Sequence, residues 1–69
     1  MLAAAEGKWF YDDSGPKPFG RDDAMALEEA FTLGVPRVVP VRQGQNLVNL
    51  DTCVQINVKT KFERKVTRE

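Results

Sequence analysis

Two side chains in the last third of the chain, Gln55 and Arg64, have the chemistry needed to bind a phosphorylated ligand. Arginine presents a planar, permanently charged fork that matches the oxygens of a phosphate or diphosphate. Glutamine offers both a donor and acceptors, which suits ribose hydroxyls or the edge of a base. Both residues also have ordinary structural uses, so their positions in the fold decide what they do.

The same third of the chain predicts a β-hairpin. Residues 54–58 and 62–66 alternate in polarity around the polar triplet Lys59-Thr60-Lys61, which predicts the turn. Alternation puts Gln55 on the polar face of the first strand and Arg64 among apolar residues of the second. Such a guanidinium must lean into solvent, pair with a carboxylate or meet an anionic ligand, because an unpaired buried charge is costly. The alternation does not choose among these three outcomes.

Length and composition limit the classes of function that this chain can have. A chain of 69 residues with one cysteine and no histidine is one small domain without a disulfide framework or a zinc set. A lone cysteine, Cys53, fits a reducing compartment. Ten acidic and ten basic residues cancel, so no overall field favours nucleic acid or an anionic membrane. No apolar run is long enough to span a bilayer, and we expect no metal, no cofactor and no membrane partner.

Catalytic interpretations find little support. Adjacent carboxylates face different directions, and each pair has an ordinary explanation at a turn or a helix start. The chain has no histidine base and no glycine-rich phosphate loop, and Cys53 has no neighbour that would activate it. The pairs are Asp12-Asp13, Asp22-Asp23 and Glu28-Glu29. We therefore expect a non-catalytic module.

The elements that position these side chains follow from local pattern. We expect an aromatic first strand at residues 8–11, a short extended piece at Pro18-Phe19, and one helix from about Asp22 to Leu33 whose first turn is capped by an aspartate. Strands at residues 38–41 and 47–50 then precede the hairpin. The pattern predicts an α+β domain with one helix against a curled antiparallel sheet. Residues 1–7 are expected to form a flexible leader or the edge of a larger protein, and residues 8–69 the domain.

Three stretches, in order along the chain, resemble the WWE domain. They are Trp9-Phe10-Tyr11, then Leu27-Glu28-Glu29-Ala30-Phe31, then QINVKTKFERKVTR from Gln55 to Arg68. The last is similar to the family pattern Q-x-N-x-x-T-G-x-x-R-x-V-x-R and is the most specific of the three. Lys61 stands where that pattern has its turn glycine.

The resemblance implies a half-barrel of five or six strands with one packed helix. It also implies a recognition module that binds poly(ADP-ribose) through its iso-ADP-ribose unit, within a ubiquitin ligase or an ADP-ribosylation protein in the nucleus or cytoplasm. The implied partners are poly(ADP-ribose) or proteins that carry it, with a further protein partner possible, and the domain is expected to be monomeric. The implied ligand-binding residues are Tyr11, Gln55 and Arg64, with Lys17 and Asn46 at positions where the family carries aromatic rings.

A second hypothesis keeps the fold without the ligand. In this alternative the domain is a protein-interaction or structural module that has lost ADP-ribose binding. Gln55 would then be a solvated strand residue, Arg64 an arginine that covers an apolar edge with its methylenes, and Tyr11 a core aromatic. Lys17 would be an ordinary solvated lysine. Glu28 is expected to make a structural hydrogen bond or ion pair under either hypothesis.

Overall fold

A computed structural model describes residues 7–69 of the chain as six strands and one helix. In chain order they are β1 (Trp9–Asp12), β2 (Pro16–Pro18), α1 (Arg21–Leu33), β3 (Val38–Val41), β4 (Asn46–Asn49), β5 (Val54–Asn57) and β6 (Glu63–Arg68). The predicted α+β class is confirmed, and each predicted element is present within a few residues of its expected position. Of the expected leader, residues 1–7, only Gly7 lies among the described residues.

All six strands form one open antiparallel sheet in the order β2-β1-β6-β5-β4-β3. The β5–β6 hairpin lies at its centre, and the first strand pairs with the last. Proline lies on both edge strands, in β2 and β3, where a missing backbone donor breaks no ladder. The sheet does not close, so the half-barrel architecture implied by the resemblance is confirmed.

The helix covers one end of the concave face of the sheet. Leu27 and Ala30 are its buried residues, and Gly34 ends it in the left-handed region, with φ 85° and its N–H donating to the carbonyl oxygen of Ala30. The expected aspartate cap is wrong. Gly20 occupies the N-cap position without a side-chain hydrogen bond. The acids of the first turn, Asp22 and Asp23, place negative charge near the positive end of the helix.

The core lies between the helix and this end of the sheet. Its buried apolar residues are Trp9, Phe19, Leu27, Ala30, Val39, Val41, Val48, Leu50 and Val66. Phe31, near the end of the helix, is 48% exposed. Its ring lies edge-on to Trp9 with 5.7 Å between centroids, so Phe31 covers the rim of the core.

The predicted alternation of β5 is correct, but its burial is reversed. Gln55 is 4% exposed, whereas Val54 and Ile56 are only half-buried. The register explains the reversal, because Gln55 lies opposite Val48 of β4, whose side chain is in the core. Directly paired residues share a face, so Gln55 lies on the concave side. Its interpretation as a solvated strand residue is wrong.

Candidate functional site

The concave face divides into an apolar half and a polar half. Under α1 the strands present core residues such as Val39, Val48 and Val66. Beyond the helix the same face continues with polar side chains from neighbouring strands. Because the helix covers only the first half, the second half is left as an open hollow.

This hollow is a pocket of about 310 Å³. Its walls come from β1, β4, β5 and β6, from the turn between β1 and β2, from the turn between β3 and β4, and from the hairpin turn. The lining residues are Tyr11, Asp13, Arg42, Asn46, Gln55, Asn57, Thr60, Phe62 and Arg64. Four of the five residues assigned from the sequence therefore lie in one pocket, and their contact with a ligand stays a prediction.

Gln55 has an unused hydrogen-bonding group in this pocket. Its Oε1 is buried and accepts no hydrogen bond from any residue in the described part of the chain. A buried acceptor without a partner costs about 1–3 kcal/mol, so native proteins rarely keep one without a reason. The register across β4 and β6 fixes Gln55 between Val48 and Arg64, and its side chain does not turn out to solvent. A ligand hydroxyl or amino group would supply the missing donor.

Arg64 lines the pocket but is partly engaged. Its Nη1 lies 3.1 Å from Asp13 Oδ1 and donates to the carbonyl oxygen of Asp12 at 3.3 Å. The guanidinium carbon also lies 4.7 Å from the centre of the Phe62 ring. Both contacts to oxygen use Nη1, so the other two nitrogens of the guanidinium, Nη2 and Nε, have no acceptor among residues 7–69. Asp13 is half-exposed at the pocket rim, and it is a surface partner of Arg64 rather than an internal acid.

Two asparagines join the pocket to the hairpin turn. Asn57 Nδ2 donates to Asn46 Oδ1 at 3.1 Å, and Asn57 Oδ1 accepts the backbone N–H groups of Lys59 and Thr60 at 2.9 and 2.8 Å. This Asx-type arrangement holds the turn against the pocket. Asn46 is buried, and its Nδ2 donates to no described residue, which leaves one amide donor available at the site.

Tyr11 and Lys17 lie opposite each other on β1 and β2 and differ in their relation to the pocket. Tyr11 lines it, and its ring meets Phe19 edge-on at 5.1 Å between centroids, so the tyrosine is both a core contact and a wall of the site. Lys17 is exposed on the edge strand and is not among the residues that line the pocket. The pairing puts both side chains on the same face, with Lys17 at its rim.

Five lining residues were not assigned from the sequence. Asn57 and Phe62 had a usable signal, because each is two positions from an assigned residue, on the same face of a strand. Thr60 follows from the hairpin turn. Asp13 and Arg42 had no usable sequence signal, since each lies in a turn that only the curl of the sheet brings to this pocket.

A second polar cluster is structural. Glu28 accepts hydrogen bonds from Trp9 Nε1 at 2.8 Å and from Arg68 Nε and Nη2 at 2.9 and 2.8 Å. The hydrogen bond from Arg68 is the main cause that lowers the pKa of Glu28 from 4.5 to about 2. Arg68 also lies over the Phe31 ring at 4.3 Å. The expected structural role of Glu28 is confirmed, because this cluster ties the helix to β1 and β6 away from the pocket.

Other kinds of site have no support in the described structure. Residues 7–69 contain no group of three or more histidine, cysteine, aspartate or glutamate side chains placed to hold a metal ion. The helix of this part of the chain is too short and too polar to cross a membrane. A wider depression of about 670 Å³ adjoins the pocket at the start of α1, but it is open and exposed side chains form most of its lining.

Comparison with known proteins gives one finding. A family model for the WWE domain matches residues 7–68, nearly the whole chain. This range includes all three stretches on which the sequence resemblance depends. No curated protein matches the chain.

Proposed function

Because this chain belongs to the WWE domain family, a family of non-catalytic modules that generally bind poly(ADP-ribose), we propose that it binds this polymer through the iso-ADP-ribose unit. The ligand would enter the pocket at the uncovered half of the concave face. Its phosphates would meet arginine, and its ribose hydroxyls or adenine edge would meet the amides of Gln55 and Asn46.

The buried, unpartnered Oε1 of Gln55 carries this proposal. A structural role would be served equally well by an apolar residue at this position, since the neighbouring strand presents Val48. Glutamine is favourable here only when something donates to it. An iso-ADP-ribose unit carries several ribose hydroxyl donors and two separate phosphates, which match an amide next to an arginine.

Arg64 supports the same ligand. The unused edge of its guanidinium provides the charge-assisted hydrogen bonds that a phosphate oxygen accepts, each contributing about 1.5–3 kcal/mol. The partner that holds Nη1, Asp13, is a half-exposed carboxylate, and a surface ion pair of this kind contributes at most about 1 kcal/mol. A phosphate of the ligand therefore competes favourably for this arginine.

The host of the domain is part of the proposal. We propose that the module belongs to a ubiquitin ligase or an ADP-ribosylation protein that acts in the nucleus or cytoplasm and that it recruits this host to modified targets. The sequence on either side of the domain in its host, read for catalytic modules, tests this proposal.

Calorimetric titration with iso-ADP-ribose, ADP-ribose and ATP tests the binding. We expect iso-ADP-ribose to bind most tightly and Arg64→Ala to weaken it about tenfold or more. Lys65→Ala is the matched control, because Lys65 is the next residue on β6, carries the same charge, and does not line the pocket. Absence of heat and of chemical-shift changes with wild type at millimolar iso-ADP-ribose would disprove the proposal.

A protein-interaction module is the second candidate function, and one observation favours it. An apolar groove of about 270 Å³ runs between α1 and β3, and the exposed side chains of Leu33 and Val35 border it. Exposed apolar area of this kind is typical of contact surfaces. If iso-ADP-ribose does not bind to the pocket, the protein-interaction module remains as the candidate function.

A further inference from the structure

Phe62 is an aromatic residue at the rim of the pocket that takes no part in the core. It is 58% exposed, and its ring packs against no other ring in the part of the chain that the structure describes. Tyr11, the other ring that lines the pocket, lies edge-on to Phe19 at 5.1 Å between centroids. Phe62 therefore offers the pocket an aromatic surface that no core contact occupies.

A second phenylalanine, with a structural role, makes the contrast clear. Phe31 lies under the guanidinium of Arg68 at 4.3 Å and also packs edge-on against Trp9, so its ring covers the rim of the core. Phe62 has the guanidinium of Arg64 at 4.7 Å from its ring centre and no neighbour like Trp9. The guanidinium covers one face of the ring, and more than half of Phe62 stays accessible, so a flat ligand group has a surface to lie against.

Strand pairing places this ring in one row with two amides. Asn46 on β4 is paired with Asn57 on β5, and Asn57 N–H donates to the carbonyl oxygen of Phe62 at 2.9 Å, just before β6 begins. The three side chains therefore lie side by side on the concave face. Because β4 and β6 are two inter-strand spacings apart, about 10 Å, a planar group above Asn57 can lie against Phe62 and turn an edge toward Asn46.

The hairpin turn holds the base of the Phe62 side chain in position. Its N–H donates to Thr60 Oγ1 at 3.2 Å, and its carbonyl oxygen accepts the N–H of Asn57. A phenylalanine side chain has only two rotatable bonds, so fixing its ring against a ligand costs little conformational entropy. The ring is thus suited to binding as well as exposed.

The chemistry of this row matches a purine base. Nucleic-acid bases stack on exposed aromatic side chains, and the ring nitrogens of adenine accept hydrogen bonds. Asn46 Nδ2 donates to no described residue, so it is available to donate to such a nitrogen. A phosphoribose without a base would leave both the ring and this amide without a contact.

We propose that Phe62 is the base-stacking residue of this pocket and that the site prefers phosphoribose ligands that carry adenine to those that lack a base. This inference rests on the proposed function for the identity of the natural ligand, iso-ADP-ribose. It goes beyond that function in assigning a residue and a selectivity. With the base stacked on Phe62, Gln55 accepts a ribose hydroxyl and Arg64 binds a phosphate.

Titration of three probes tests this inference: iso-ADP-ribose, AMP, and ribose 5-phosphate, which is AMP without its base. We expect Phe62→Leu, which keeps apolar bulk but removes the flat ring, to weaken iso-ADP-ribose and AMP about three- to tenfold and ribose 5-phosphate less than about twofold. Phe62→Tyr keeps the ring and should stay within about twofold of wild type for every probe. Phe31→Leu is the matched control, because Phe31 is also an exposed phenylalanine under an arginine but does not line the pocket.

The adenine protons of bound iso-ADP-ribose give a second readout by NMR. Protons that lie over an aromatic ring are shifted upfield by its ring current. We expect adenine H2 and H8 to move upfield on binding to wild type and to Phe62→Tyr, and to move clearly less on binding to Phe62→Leu. A residue that only holds Arg64 in place would not produce this difference.

The outcomes separate the two proposals. If wild type binds iso-ADP-ribose, equal affinities of Phe62→Leu and Phe31→Leu, or equal upfield shifts with wild type and Phe62→Leu, overturn the role of Phe62 and leave the proposed function intact. The same holds if Phe62→Leu weakens ribose 5-phosphate as much as AMP, since Phe62 would then act only by holding Arg64. Wild type that binds AMP but not iso-ADP-ribose overturns the proposed function alone, and no binding of either overturns both. Thermal midpoints above the titration temperature confirm that the variants are folded.

Discussion

Arg64 already has a carboxylate partner before any ligand arrives, and this affects how the pocket binds anions. Asp13 lies in the pocket and touches one nitrogen of the guanidinium. It holds the side chain in a defined place, but it also places a negative charge where a phosphate would bind. Asp13 therefore both orients Arg64 and competes with the ligand.

Removing this competing charge should strengthen binding. We expect Asp13→Asn to raise the affinity for iso-ADP-ribose about two- to fivefold, because the exposed pair contributes at most about 1 kcal/mol to be displaced. Asp51→Asn is the matched control, since Asp51 pairs with Arg37 in a surface salt bridge at 2.8 Å outside the pocket. Titration of both variants decides the point, and weaker binding by Asp13→Asn would mean that orientation of Arg64 outweighs the competition.

Glu28 gives a pH-dependent contribution to stability. The pKa of Glu28 is about 2 in the folded protein and 4.5 when the side chain is unperturbed. A lowered folded-state pKa stabilises the fold above pH 4.5, and this stabilisation is lost as the pH falls toward 2. The backbone of Gly7 contributes a hydrogen bond to the same carboxylate. A side chain at position 7 would push against Glu28 and Arg68, which would have to shift.

We expect Glu28→Gln to lower the free energy of unfolding by about 1–2 kcal/mol at pH 7. The substitution removes the partly exposed ion pair with Arg68 and a charge-assisted hydrogen bond. The difference from wild type should shrink steadily as the pH is lowered below 4.5. Urea unfolding at several pH values measures the difference in the free energy of unfolding. Glu29→Gln, on the adjacent exposed position, should show no such pH-dependent difference, and a constant difference for Glu28→Gln would contradict the role of its charge.

At the scale of elements, the β5–β6 hairpin joins the pocket to the centre of the sheet. Its turn is closed by hydrogen bonds from Lys61 N–H to the Asn57 carbonyl oxygen at 2.8 Å and from Asn57 N–H to the Phe62 carbonyl oxygen at 2.9 Å. Lys61 has a φ of 66°, in the left-handed region that glycine adopts without a steric penalty. This explains why the family pattern has glycine here.

Glycine at this position should stabilise the hairpin. We expect Lys61→Gly to raise the free energy of unfolding by about 0.5–1 kcal/mol, because the relief of left-handed strain exceeds the added entropy of the unfolded chain. Lys59→Gly, in the same turn but without a positive φ, should lower stability instead. Chemical denaturation of both variants measures the difference, and equal effects of the two substitutions would contradict this account.

At the scale of the whole molecule, the two halves of the concave face have different roles. The half under α1 supplies the core, with Val48 and Leu27 fully buried. The other half keeps amides and a guanidinium on the same strands, where they contribute little to the stability of a domain this small. A polar hollow of this kind is expected where binding requires it.

Gln55→Leu and Val48→Ala should separate these roles. Gln55→Leu replaces a buried acceptor that lacks a partner with an apolar side chain of similar size, so we expect the free energy of unfolding to stay equal or rise by about 1 kcal/mol while iso-ADP-ribose affinity falls tenfold or more. Val48→Ala should cost about 2 kcal/mol. Denaturation and titration of both variants provide the test, and a large loss of stability in Gln55→Leu would show that this glutamine is structural.

The sequence by itself determined the family, the α+β class, the elements and the residues nearest the site. Gln55 and Arg64 were assigned through the family resemblance, and strand alternation added only that residues two apart share a face. Tyr11 and Asn46 followed from their positions in the resemblance, and both line the pocket.

Only the tertiary structure decided which face of β5 is buried and which turns reach the pocket. A strand pattern shows that two faces differ, but the strands on either side determine which face is concave, and here Val48 and Arg64 place Gln55 inside. Asp13 and Arg42 lie far apart in sequence from Arg64, and the curl of the open sheet brings all three around one hollow. Contacts of this kind depend on the curl of the whole sheet, which no local sequence pattern determines.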